Sequence, residues 1–162
     1  MSTLAHHFEE GGWGMYLILF WQILAIGIIV ERAFQARLGD YGFAFFYTLG
    51  LVASILPTWW RHRADRDYRS LGASGAVMGV LFASILFDPW MLIYVFGAVP
   101  IPAIVYGVLF VGYELWAERR GGDRVNHSAH LWGAAYGVAF TLLVDPGFAS
   151  RFARLLAHPR MG

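Results

Sequence analysis

A chain of 162 residues that is 58% hydrophobic, 17% aromatic and only 14% charged is too apolar for a soluble domain, in which about 25% of residues are charged. Its net charge of +1 leaves no basic excess to neutralise phosphates, which excludes nucleic acid as a partner. The absence of cysteine excludes disulfides and thiolate metal sites. Residues 1–12 are polar, with Glu9, Glu10 and two histidines, and lack the basic start of a secretory signal, so insertion is expected to depend on the later apolar segments. Five runs lack Asp, Glu, Lys and Arg: Trp13–Val30, Tyr41–Trp60, Leu71–Phe87, Pro89–Tyr113 and Ser128–Val144. At ~1.5 Å per residue each spans or nearly spans a hydrocarbon layer of ~30 Å as a helix. The expected fold is therefore an all-α polytopic membrane protein with five transmembrane helices. Pro89 fits the first turn of a helix after Asp88, and Pro100 and Pro102 should kink or divide the fourth run. The polar connections are 31–40, 61–70 and 114–127. All basic residues are arginine, and they cluster between the runs. The membrane domain is expected over 1–147. The polar C-terminal tail over 148–162, with Arg151, Phe152, Arg154, Leu155 and Leu156, could form a short interfacial helix.

Two motifs head the third and fifth runs: Gly72-Ala73-Ser74-Gly75, and Ala129-His130 with Gly133 and Gly137. His130 is the only Asp, Glu, Arg or His in any run, and an ionisable group within a span is a functional hypothesis by default. Gly75 with Gly79, and Gly133 with Gly137, have the GxxxG spacing that lets helix backbones approach closely in lipid. Odd-numbered spans run in the same direction, so Ser74 and His130 lie at similar depth below one membrane face. If the glycine faces meet, the serine hydroxyl reaches the imidazole, the geometry needed to activate a weak nucleophile. The backbone N–H groups at Ser74 and Gly75 sit at a helix start, where they can stabilise an oxyanion. With no carboxylate in the runs to orient His130, this is a Ser–His dyad. Other readings are weighed against it. A serine at a helix start is often an N-cap. His127 and His130 could share a metal, but without a carboxylate they form a poor site, so neither metal nor cofactor is expected. HExxH and GxSxG are absent.

Together the two motifs resemble those of the rhomboid family of intramembrane serine proteases, GxSG at 72–75 and AHxxGxxxG at Ala129, His130, Gly133 and Gly137. Val30-Glu31 and Arg37-Leu38-Gly39 look like the end of the family's second helix and the turn after it. The resemblance covers about Thr3 to Val144. It implies a rhomboid-like bundle, Ser74 as nucleophile, His130 as general base, and transmembrane proteins as substrates, cut in or beside their spans. It also implies a multi-pass protein of the lipid bilayer, expected in the inner membrane of a bacterium.

The chain departs from the family pattern. Only five runs are present where the family usually has six core helices, and by the alignment of the motifs the missing one would be the first. The oxyanion His and Asn of the second helix align with Met15 and Leu19, which cannot donate hydrogen bonds. Asn126 or His127 is the expected substitute donor. A tyrosine four residues after the serine is Met78 here. The resemblance places the connections at 61–70 and 114–127 outside the cytoplasm with seven arginines (61, 63, 66, 69, 119, 120, 124), against five on the other side (32, 37, 151, 154, 160). The positive-inside rule weakly prefers the reverse. The main alternative is a catalytically impaired relative that binds transmembrane segments. A proton-coupled transporter would need further intramembrane carboxylates, which the runs lack.

Overall fold

The computed structural model describes residues 12–65, 73–95, 99–121 and 125–159, with 12–19 described by backbone alone. Six helices and one hairpin make up the described residues: α1 Gly12–Leu38, α2 Gly42–His62, α3 Ser74–Phe87, β1 Leu92–Val95, β2 Val99–Pro102, α4 Ala103–Arg120, α5 His127–Val144 and α6 Gly147–Ala157. The fold is a helical bundle with α3 at its centre. Among the described residues α2 alone is long and apolar enough to cross a membrane by itself, and α3 is a shorter apolar helix. The pair α5 and α6 meets the same measure together, bent by 112° at the break.

Two helices run past the apolar runs. α1 continues through Glu31 to Leu38, so the expected connection 31–40 shrinks to the turn at Gly39, whose φ of +76° suits glycine. α4 likewise carries Glu114 to Arg120 as helix, not as the expected connection. Local helix propensity does not stop at the first charge, and arginines near a helix end favour the terminal carbonyls.

The fourth run is divided, as its prolines suggest, but its first part is a hairpin instead of a helix. Leu92 pairs with Pro102, Ile93 with Ile101, Tyr94 with Pro100 and Val95 with Val99 in an antiparallel register. Pro100 and Pro102 donate no ladder hydrogen bond, and β-branched Ile93, Val95, Val99 and Ile101 favour strand. Pro89 accordingly lies in a turn, not at a helix start, where Asp88 Oδ1 accepts the Trp90 N–H at 3.1 Å. Ile104 N–H donates to the Pro89 carbonyl at 2.9 Å, tying the start of α4 to that turn.

Among the described residues the core has two apolar clusters. Val30, Phe34, Phe46, Val80 and Ala83 join α1, α2 and α3, while Leu81, Ile85, Ile93 and Ala103 join α3 to the hairpin and α4. The C-terminal segment is a helix that docks on the bundle. Phe148 is buried against Phe87, and the Trp90 indole N–H donates to the Leu155 carbonyl at 2.8 Å. At its start Asp145 accepts from Gly147 N–H and from Arg37 Nε, each at 2.8 Å. The Gly147 bond first, then Arg37, holds the exposed Asp145 carboxyl below its ordinary pKa. The bond network of Asp145 is therefore complete at neutral pH and is lost only as pH falls below the ordinary carboxylate range.

Backbone contact between α3 and α5 sets the centre of the bundle. A Cβ on Gly133 would collide with the Gly75 carbonyl, and one on Gly137 with the Gly79 carbonyl. Backbone cannot swing aside as a side chain can, so Gly133→Ala and Gly137→Ala should each cost about 1–3 kcal/mol. The expected readout is a lower thermal midpoint in detergent for both. Gly112→Ala, whose Cβ meets nothing within 4 Å, should not lower it. Wild-type midpoints in Gly133→Ala and Gly137→Ala would overturn this view of the seam.

Candidate active site

The N-cap of α3 is Ala73, not Ser74, and among the described residues the first helical hydrogen bond at this end runs from Val77 N–H to the Ala73 carbonyl at 3.1 Å. The serine hydroxyl therefore does not cap its own helix. The N–H groups of Ser74, Gly75 and Ala76 precede that first bond, as helix geometry requires. Gly75 is pinned: an added Cβ would lie 2.5 Å from Ser54 Oγ on α2 and 2.9 Å from the Ala129 carbonyl on α5. Close approach, not φ, demands glycine here.

On the facing helix Asn126 is the N-cap, its side-chain oxygen accepting the Ala129 N–H at 3.0 Å. That cap starts α5 with His127 and His130 three residues apart on one face. Ser74 Oγ lies 2.9 Å from His130 Nε2. His130 Nδ1 lies 3.1 Å from Glu114 Oε1, and His127 Nδ1 lies 2.6 Å from Glu114 Oε2. An ionised carboxylate only accepts, which assigns both imidazoles the Nδ1–H tautomer. His130 Nε2 is then the acceptor, and the serine hydroxyl donates to it.

Glu114 is 3% exposed, so its carboxylate depends on these partners for both oxygens. The sequence reading missed it. It follows the fourth run by one residue and falls within the polar connection 114–127, so the expected dyad without an orienting carboxylate does not match the geometry. Its signal was the buried stripe Ala103, Gly107, Glu114 and Ala117 on α4, where a carboxylate shares a face with small residues.

Aromatic rings flank the imidazoles. The Phe110 ring on α4 lies 6.2 Å from His130, and Tyr113 meets His127 edge-on at 6.0 Å. Phe110 thus places an aromatic ring beside His130 from another helix, where Met78 offers none. Met78 instead lines an apolar cavity of about 430 Å³ with Ile26, Leu81, Ile93 and Tyr106, between α1, α3, the hairpin and α4. It opens one helical turn from Ser74 on the same helix.

The structure thus brings together Ser74, His130, Gly75 and His127, with Gly79, Gly133 and Gly137 in the packing seam below. Gly72 lies outside the described residues, as do Arg66, Arg69, Arg124 and Arg160. Met15 and Leu19 lie on the part of α1 described by backbone alone.

The Rhomboid domain family model matches residues 3–146. "RHOMBOID-like protein 12, mitochondrial" of Arabidopsis thaliana is 35% identical over 65 residues, 40% of this chain and 19% of that protein. The chain therefore matches about a fifth of the length of that curated relative. Its mitochondrial name lends no support to a bacterial inner membrane. No solved structure matches. Matched over nearly its whole length, and carrying both motifs on facing helices, the chain belongs to the rhomboid family of membrane proteins.

Proposed function

We propose that this chain is an intramembrane serine endopeptidase that hydrolyses peptide bonds in or beside transmembrane segments of other proteins. The observation that carries the reading is the line Ser74 Oγ–His130 Nε2–Glu114, at 2.9 Å and 3.1 Å. As the hydroxyl attacks the scissile carbonyl, its proton passes to Nε2, and Glu114 holds the imidazole in the accepting tautomer and steadies the imidazolium. The proton then goes to the leaving amine, which departs and leaves an acyl-serine. Water, deprotonated by the same nitrogen, releases the acid and restores the hydroxyl. Glu114 touches neither substrate nor the reacting atoms, so it is a positioning residue.

The N–H groups at Ser74 and Gly75 are the proposed oxyanion donors. Asn126 and His127, the side-chain candidates, have structural tasks in the α5 cap and at Glu114. The cavity beside Met78 suits an apolar side chain of the substrate. A substrate helix must unwind near Ser74, because a helical carbonyl is already hydrogen-bonded, so small or helix-breaking residues are preferred at the cut. Five membrane crossings remain the reading of the span count, with α1 to α5 as the crossing segments. The alternative, an impaired relative that binds transmembrane segments, rests on Met15 and Leu19.

Fluorophosphonate labelling of detergent-solubilised protein separates the two readings. Wild type should label, and Ser74→Ala and His130→Ala should not. Absence of labelling in folded wild type favours the binder. Glu114→Gln should lower kcat by about 10²–10⁴ with little change in KM, the pattern of a lost orienting carboxylate. A KM effect alone would deny it that role.

Met78→Trp tests the cavity separately. Filling it should raise KM for a transmembrane substrate several-fold while labelling by the small fluorophosphonate persists. An unchanged KM would place substrate elsewhere.

A further inference from the structure

Glu114, His127 and His130 form a set of two imidazoles and one carboxylate, the first two residues buried and His130 half-buried, and their donor atoms lie within 4.8 Å of one another. His127 and Glu114 are at most 5% exposed. This is the donor set that zinc takes in three-ligand sites with an open fourth position. Tetrahedral zinc with bonds of ~2.0–2.1 Å holds its donors ~3.3 Å apart, so side-chain rotations of about 1–1.5 Å close the set on an ion. The helix spacing of His127 and His130 already turns both Nδ1 atoms to the same carboxylate.

A second observation points to access. A cavity of about 150 Å³ is lined by His127, Asn126, Glu118 and Thr58, and opens toward the polar end of the bundle. The Thr58 hydroxyl oxygen is buried and has no hydrogen-bond partner among the described residues. A polar atom left in that state is matched by water or a hydrated ion in the adjoining space.

We propose that this cluster is an inhibitory site for a divalent transition-metal ion of zinc type. Ligation takes the Nδ1 lone pair of His130, so the ring's proton must sit on Nε2. That nitrogen then donates and no longer accepts, and Ser74 keeps its proton. The ion also removes Glu114 from the imidazole it orients. The metal site stands apart from the protease reading, whereas its effect on the serine rests on it.

The binding test uses Ser74→Ala, which removes the nucleophile but no ligand, as the full chain in detergent stripped with EDTA. Zinc sulfate titrated against a chromophoric chelator should show one saturable site, and cobalt(II) should give the intense visible bands of a tetrahedral centre. Glu114→Gln, which keeps shape, and His127→Ala should each weaken binding about tenfold or more. If Glu114→Gln fails to fold, by helical circular dichroism, His127→Ala carries the test. No saturable binding, or binding untouched by the substitutions, overturns the site. In the wild type, zinc should slow fluorophosphonate labelling at least tenfold, with EDTA restoring it. Tight zinc binding with unchanged labelling would overturn the inhibitory role alone. A wild type that never labels would count against the protease reading and leave the binding result standing.

Discussion

Backbone touching backbone, at Gly75–Gly133 and Gly79–Gly137, is the constraint on which the rest of this structure depends. In lipid there is little hydrophobic gain in bringing two apolar helices together, since the tails they leave are as apolar as the side chains they meet. Dispersion across a close interface must supply the attraction, and it falls off steeply with separation. Removing Cβ atoms from both sides lets α3 and α5 approach until carbonyls face α-carbons. The same approach fixes where Ser74 and His130 stand. Each lies at the first turn of its helix, above the glycine seam, so their 2.9 Å separation follows from the helix spacing. Side chains with softer packing below them would leave that distance to chance.

Above the seam the problem changes from packing to charge. Glu114 takes a carboxylate out of water, which is unfavourable unless every lone pair is answered. Two imidazoles from one helix answer both oxygens, one at 2.6 Å and one at 3.1 Å. The second bond goes to the one imidazole that also faces a serine. That coupling is what makes the cluster a candidate relay and not merely a satisfied core. It also joins three helices at a single group: α3 through Ser74, α4 through Glu114 and α5 through both histidines.

Much of this was legible in the sequence. The GxxxG pairs pointed to the close approach of the helices that carry Ser74 and His130, because that approach depends on small residues at helical spacing. What was not legible shares a physical cause. Segments were delimited by charge, yet charge does not end a helix whose other face is buried, so α1 ran on to Leu38 and α4 to Arg120. Glu114 was lost at such a border. The hairpin was missed for the opposite reason. Length and apolarity argued for a span over 89–113, while Pro100, Pro102 and the surrounding β-branched residues carried the local preference that won. Asn126 shows a third case. It is polar and lies just before the His130 motif, which suggests chemistry, but its oxygen serves the first turn of α5.

The two sides of α3 differ in kind, and the difference bears on how a rigid site can admit a chain. Toward α5, α3 is held by backbone contacts, and Tyr136 braces α5 on the Phe46 carbonyl of α2 at 2.7 Å. Toward α1, the hairpin and α4 it meets larger side chains around an open apolar volume. There the hydrogen bond between α1 and β1 is Gln22 Oε1 accepting the Tyr94 N–H at 3.2 Å, an exposed contact. Displacing α1 or the hairpin therefore disturbs dispersion contacts that lipid or a substrate side chain can replace, whereas displacing α5 would part backbones that nothing else fits between. Entry from the cavity side leaves the Ser74–His130 distance untouched. The proposed cleavage of an extended segment would use that division, and the placement of the glycines creates it.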